Sequence, residues 1–247
     1  MSILSTLTTD NTIADEKDSL GGSRGAMESG IYGAKIVHAY IKKSDGGAIA
    51  LEVNLKTSND RELRQTFWMT SGTAKGCKNY YEDKQGDKQY LPGFVMANAL
   101  CLLTVGKEIS ALETEQKVIP LYNKDAKAEV PTKVDMLMDL VGQEVIAAVI
   151  KQTVDKTVKN DAGVYVPTGE TREENEVDKF FRARDRMTTA EIRAQADTAV
   201  FVETWAQKWS GKVRDKSKGA AAGASAGTAG LPKPAATTSK PTTSLFG

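Results

Sequence analysis

The sequence predicts a mainly β protein with inserted helices: a five-stranded barrel, a C-terminal helix and a disordered tail. Three observations carry this. Apolar residues alternate with polar ones between residues 30 and 70, the period of half-buried strands. One apolar helix follows them. Gly, Ala, Ser, Thr, Pro and Lys make up nearly all of the last stretch, which cannot bury enough apolar surface to offset chain entropy. The 247 residues divide into a flexible arm (1–29), one domain (30–210) and a tail (211–247), and the domain has the usual size of about 200 residues or fewer.

The elements follow in order. Ser19 to Gly25 is a loose stretch within the arm. Ile31 to Lys43, rich in Ile, Val and Tyr, reads as a strand, and Ser44-Asp45-Gly46-Gly47 as a turn whose glycines accept positive φ. Ile49, Leu51, Val53 and Leu55 alternate with Ala50, Glu52, Asn54 and Lys56 in a second strand. A third carries Leu63, Gln65, Phe67 and Met69 on one face and Arg64, Thr66 and Trp68 on the other. Ser71 to Tyr90 is a polar connection. Pro92 suits the first turn of a helix running through Phe94 to Val105, with Gly106 as its stop.

Val118 to Tyr122 reads as a short strand. Thr132 and Asp135 start a short helix, Val134 to Val141. Glu144 to Ile150, apolar on both faces, is a central strand. Asn160 to Gly163 is a turn, and a last strand covers Glu176 to Arg182. Thr188 and Glu191 form a capping box at the start of one amphipathic helix that carries Ile192, Ala196, Val200, Trp205 and Trp209 and ends near Gly211. Three strands, a helix and two later strands describe an oligonucleotide-binding barrel, although other small barrels with insertions fit nearly as well.

Charge is uneven. Net charge is +1, but residues 211–247 hold six Lys or Arg and one acid, which leaves 27 basic and 31 acidic residues before them. Any anion-binding role for the domain therefore requires its cations to gather on one face. Two cysteines, Cys77 and Cys101, and one histidine, His38, build no zinc site of ordinary spacing. No cofactor or metal is expected. The polar start, with four acids before Leu20, is not a signal peptide, and no apolar run approaches the roughly 18 residues of a membrane span. A cytoplasmic protein is expected. Hydrolase and nucleotide-binding signatures are absent, and an enzyme is not expected. Glu173, Glu174, Glu176 and Asp178 read as a solvated face, with a metal-dependent nuclease as the rival reading.

The informative stretch is Lys75 to Tyr90, where lysines interleave with tyrosines. Bases stack on such rings at about 1–3 kcal/mol each while lysines meet phosphates. The alternative is a hairpin tip whose tyrosines pack inward and whose lysines only solubilise. Glu82, Asp83 and Asp87 count against the binding reading, and Trp68, on the Arg64 face, counts for it. A second cluster, Lys179-Phe180-Phe181-Arg182-Ala183-Arg184, is expected in the same groove. The candidate set is Arg64, Trp68, Lys75, Lys78, Tyr80, Tyr81, Phe181, Arg182 and Arg184, and Leu245 with Phe246 form an apolar tip for a protein partner.

Strand-rich Gly30 to Thr70, then Ser71-Gly72-Thr73-Ala74-Lys75-Gly76, Tyr80-Tyr81, the helix from Leu91-Pro92-Gly93-Phe94 to Thr104-Val105-Gly106-Lys107, and Asp139-Leu140-Val141-Gly142 occur in that order. This order resembles phage-encoded single-stranded DNA-binding proteins, over Gly30 to Arg186. The resemblance implies an oligonucleotide-binding fold, sequence-tolerant binding of single-stranded DNA, and a part in phage DNA replication, recombination or repair inside an infected bacterium. It also implies replication or recombination proteins as partners. Such proteins commonly end in an acidic tail, and here the tail is basic up to Ser244. A recombination adaptor or virion component built on the same barrel is the other alternative.

Overall fold

A fourteen-residue strand, β1 (Gly30–Lys43), is the spine of the sheet. The computed structural model describes residues 25–123, 126–161 and 163–218. One edge of β1 pairs antiparallel with β2 (Ile49–Thr57), which pairs with β3 (Glu62–Trp68). The other edge is shared. Gly30 to Lys35 pair with β8 (Glu144–Lys159), and Tyr40 and Ile41 pair with β7 (Ala128–Met136). The handover lies at an irregularity between Ile36 and His38, where an extra residue bends the strand and increases its twist.

Beyond β3 the chain makes a small hairpin, β4 (Tyr80–Glu82) with β5 (Lys88–Tyr90), and then helix α1 (Pro92–Thr104). β6 (Glu115–Asn123) pairs with β7. β9 (Tyr165–Arg182) pairs with β8 along its length. Helices α2 (Thr189–Arg193) and α3 (Phe201–Trp209) precede β10 (Val213–Asp215), which adds to β8 in parallel. The fold is thus mainly β with inserted helices. The antiparallel order β3-β2-β1-β8-β9 curls until the outer strands meet, where the Val177 N–H donates to Gln65 Oε1 at 3.0 Å. No ladder joins β3 to β9, so the sheet does not close into a barrel.

The curl encloses Ile36, Leu51, Val53, Leu55, Phe67, Val149 and Phe180 with Ala97, Leu100 and Cys101 of α1. Each fully buried Leu, Ile or Phe contributes about 1.5–3 kcal/mol. α1 is apolar nearly all round because the sheet covers one side and α2 touches another. Phe180 and Phe181 are successive strand residues and point to opposite faces. Phe180 meets Phe67 edge-on at 5.8 Å. Phe181 packs with Ala148, Ile150, Val202 and Trp205 beneath α3.

The structure corrects four expectations. Residues 134–141 are not a helix: Val130, Thr132, Val134 and Met136 share one face of β7 at period two, followed by a 3-10 turn at Met138–Leu140. The polar residues before Glu176 belong to β9, because β8 supplies ladder partners as far as Tyr165. The single C-terminal helix is two, broken where Gln195 takes a left-handed φ of 52°. The Glu191 carboxylate joins them, accepting from Thr188 N–H in the capping box and from the Val200 and Phe201 N–H groups at the start of α3, each at 2.8 Å.

The fourth correction concerns both ends of the domain. Met27 is buried, and Asn175 holds it with two bonds, Met27 N–H to Oδ1 at 2.7 Å and Nδ2 to the Met27 carbonyl at 2.8 Å. Residues 213–215 form β10 rather than tail. Arg214 reaches Glu176 at 2.5 Å and Asp178 at 3.3 Å, and the Gly211 N–H donates to the Ser29 carbonyl at 2.9 Å. The rest of the arm (1–24) and of the tail (219–247) lies outside the described residues.

Candidate nucleic-acid interface

β3 places Trp68 at the mouth of a cleft. In a strand, alternate side chains share a face, and Trp68, Thr66 and Arg64 stand opposite Ala50, Glu52 and Asn54 of β2. Trp68 is 42% exposed. The cleft, about 760 Å³, lies where β3, β9, the start of α1 and the loop after Thr70 converge, and its lining includes Trp68, Phe67, Lys75, Met96 and Val177.

The loop carrying the lysines is braced by the β1–β2 turn. The Thr73 N–H donates to the Gly46 carbonyl at 2.8 Å. Gly47, at φ 76°, packs so tightly that an added β-carbon would lie 2.1 Å from Thr73 Oγ1. Lys75 and Lys78 project from this loop, both exposed. The Ser71 N–H to Lys78 carbonyl bond (2.8 Å) and the Leu91 N–H to Asn79 carbonyl bond (2.9 Å) bring the β4–β5 hairpin beside the cleft.

In that hairpin Tyr80 is paired with Tyr90, and Tyr81 with Gln89. Tyr80 and Tyr81 therefore point to opposite faces, and the expectation that both line one groove is corrected. Lys78 and Lys88 flank the Tyr80 ring, 5.5 and 5.0 Å from its centroid. Tyr90, 61% exposed, leans on Phe94 at 5.0 Å. Within this stretch Asp83 braces the β4–β5 turn. The Asp83 carboxylate accepts from the Asp87 and Gln85 N–H groups at 2.9 and 3.0 Å. Those bonds, the Asp87 one foremost, hold its pKa below the usual range.

The second cluster does not join the site. Phe181 is fully buried and presents no ring for stacking. Arg182 is engaged by Asp185 through two bonds, 2.9 and 2.5 Å. Arg184 is exposed but stands with Arg182 beside residues 102–106, at the far end of α1 from Trp68. Residues 92 and 103 of a helix are about 16 Å apart at 1.5 Å per residue. Leu245 and Phe246 lie outside the described residues.

Sequence reasoning missed Glu52, Lys42 and Tyr40, which meet with Arg64 across three strands on the Trp68 face. Glu52 reads as a solvated position in an alternating strand, yet it is fully buried. Tyr40 OH donates to it at 2.9 Å, Lys42 Nζ at 3.2 Å and Thr66 Oγ1 at 3.3 Å, and Arg64 adds Nε and Nη2. Burial pushes the Glu52 carboxyl pKa up, but the Tyr40 bond and the Arg64 and Lys42 charges outweigh it, and the net shift is downward. Burial, then the Glu52 bond, push the Tyr40 pKa up to about 12. No single-strand signal marks such a cluster, because its members are brought together by cross-strand pairing.

The acidic stretch of β9 is engaged as well. Glu173 pairs with Lys151 at 3.1 Å, Glu174 with Arg172 at 2.8 Å, and Glu176 with Arg214 and Lys216. Among the described residues no three His, Cys, Asp or Glu converge as metal ligands, and no helix is long and apolar enough to cross a membrane. No protein-family model matches the chain, and no curated protein matches it in sequence.

Proposed function

We propose that this chain binds single-stranded DNA passively and with little sequence preference, and so keeps strands open during phage DNA replication, recombination or repair. The observation that carries the reading is the exposed Trp68 ring at the mouth of the cleft, on the strand face of Arg64 and beside the lysine loop. An exposed ring stacks any base, and nearby cations meet the phosphates on either side. Five antiparallel strands with a helix after the third, their outer strands meeting without a ladder, support an oligonucleotide-binding fold, which is itself only partly closed.

The contact set is Trp68, Tyr80 and Tyr90 for bases and Arg64, Lys75, Lys78 and Lys88 for phosphates, with Tyr81 on the outer face of its hairpin. Binding the single strand and not the duplex shifts melting by mass action. The test is a titration of a labelled oligo-dT and of a duplex of equal length over a series of salt concentrations. Four phosphate contacts give a slope of log affinity against log salt of about −2.8, with the duplex much weaker. Equal affinity for the duplex rejects the proposal. The strand stays intact through incubation with Mg²⁺ or Mn²⁺. Cleavage that disappears in a Glu173→Gln, Glu174→Gln variant favours a nuclease instead.

A further inference from the structure

Arg64 and Lys42 are not free surface cations. Each is about half exposed, 48% and 47% at the side chain, while both donate inward to the same fully buried carboxylate of Glu52. Tyr40, which closes the inner side of this group, is itself sealed by Ile119, Val134 and Met136 of the β6–β7 hairpin and its surroundings. Lys42 pairs with Ala50, which pairs with Trp68, so Lys42 and Trp68 lie in one row across the sheet. Arg64 lies two rows along, opposite Asn54. Cation, ring and cation thus share one face within two steps of strand repeat, about 13 Å along the strand.

We infer that Glu52 is a positioning residue for nucleic-acid binding and that Lys42 is a phosphate contact beside Arg64. The inference rests on the proposed binding of single-stranded DNA. Lys and Arg side chains carry large rotamer entropy, and fixing them on binding lowers affinity. Glu52 fixes both before the ligand arrives. Its bonds take Arg64 Nε and Nη2, and a guanidinium has five N–H donors in a rigid fork, so donors remain for a phosphate.

The charge count makes the test decisive. Two cations and one carboxylate leave a local charge of +1. Glu52→Gln raises it by one, and in a purely electrostatic site that strengthens binding of a polyanion. A positioning role gives the opposite sign. Oligo-dT affinity is measured for the intact chain and for E52Q, K42M and R64K, each corrected for its folded fraction by near-ultraviolet circular dichroism. The expected result is about tenfold weaker binding for E52Q and for R64K, the worth of one charge-assisted bond. The salt slope of E52Q and of K42M shrinks by about 0.7, one phosphate. R64K keeps the charge but loses the fork, and it stands in for E52Q if that variant does not fold. E52Q binding as tightly as the intact chain or more tightly, or R64K at full affinity where E52Q is unfolded, overturns the inference. If the intact chain itself ignores oligo-dT, the proposed function falls and this inference with it.

Discussion

Gly93 lies directly against the backbone of Trp68: a β-carbon built on Gly93 would stand 2.1 Å from the Trp68 carbonyl oxygen and 2.7 Å from its nitrogen. The Met69 N–H donates to Ile49, so the neighbouring Trp68 carbonyl faces away from β2, toward the first turn of α1. Helix and strand meet there without a side chain between them. The Trp68 backbone is held by a contact that only glycine permits.

Gly93→Ala is therefore expected to destabilise the fold by about 1–3 kcal/mol, the usual cost of overpacking, and to move Trp68 emission. Urea denaturation followed by fluorescence checks both. An alanine variant of native stability and native emission rejects the close contact.

Trp68 and Phe181 are expected to separate binding from stability. Trp68→Ala lowers oligo-dT affinity by about 1–3 kcal/mol, the worth of one stacked base, and lowers the denaturation midpoint less than Phe181→Ala does, because Trp68 is 42% exposed. Phe181→Ala does the reverse, costing about 3–5 kcal/mol of stability with unchanged affinity of the folded fraction. Parallel titrations and denaturation curves check the pair.

Truncation is expected to depend on where the chain is cut. Ending it after Lys218 preserves every described element. Ending it after Ser210 removes β10 and the Arg214 bonds to Glu176, Asp178 and Gln152, leaving acids that faced a largely buried guanidinium without it. A lower thermal midpoint follows. Comparing thermal midpoints of the two truncations checks this, and equal midpoints count against a structural β10.

Stability is expected to fall at both ends of the pH range. The carboxyls of Glu52, Asp185 and Glu191 have depressed pKa values in the fold. For Asp185 the Arg182 bond leads, whereas Glu191 is depressed by backbone N–H groups that outweigh its burial. The unfolded chain binds protons first as pH falls, so their contribution is complete above the ordinary values of 4.5 and 3.8 and is lost below them. Tyr40 works the other way. Raised from 10.0 to about 12, it favours the folded state below pH 10, and this is lost as pH rises toward 12, on the order of 2 kcal/mol in all. Urea midpoints across the pH range check the shape, and Tyr40→Phe lessens the alkaline fall without abolishing it, because burial likewise pushes the Cys101 thiol up from 9.0 to about 12.

By itself the sequence determined the elements whose signal is local. The inward face of Leu51, Val53 and Leu55, the shared face of Arg64 and Trp68, Pro92 and Gly106 at the ends of α1 (Gly106 at φ 72°) and the Thr188–Glu191 box stand as read, although Ala50 and Glu52 on the other face of β2 are buried as well. Each depends on residues a few positions apart. Tertiary structure decided what depends on partners distant in sequence. β7 and the polar half of β9 are strands because β6 and β8 supply their ladders. Val213 to Asp215 is folded because β8 has a free edge and Glu176 waits for Arg214. Phe181 is core and Phe180 is core because both faces of this part of the sheet are covered. Glu52 is buried because Tyr40, Lys42 and Arg64 arrive from two neighbouring strands with enough donors to offset the loss of water. A strand's period tells which side chains share a face, and only the pairing of strands tells what that face meets.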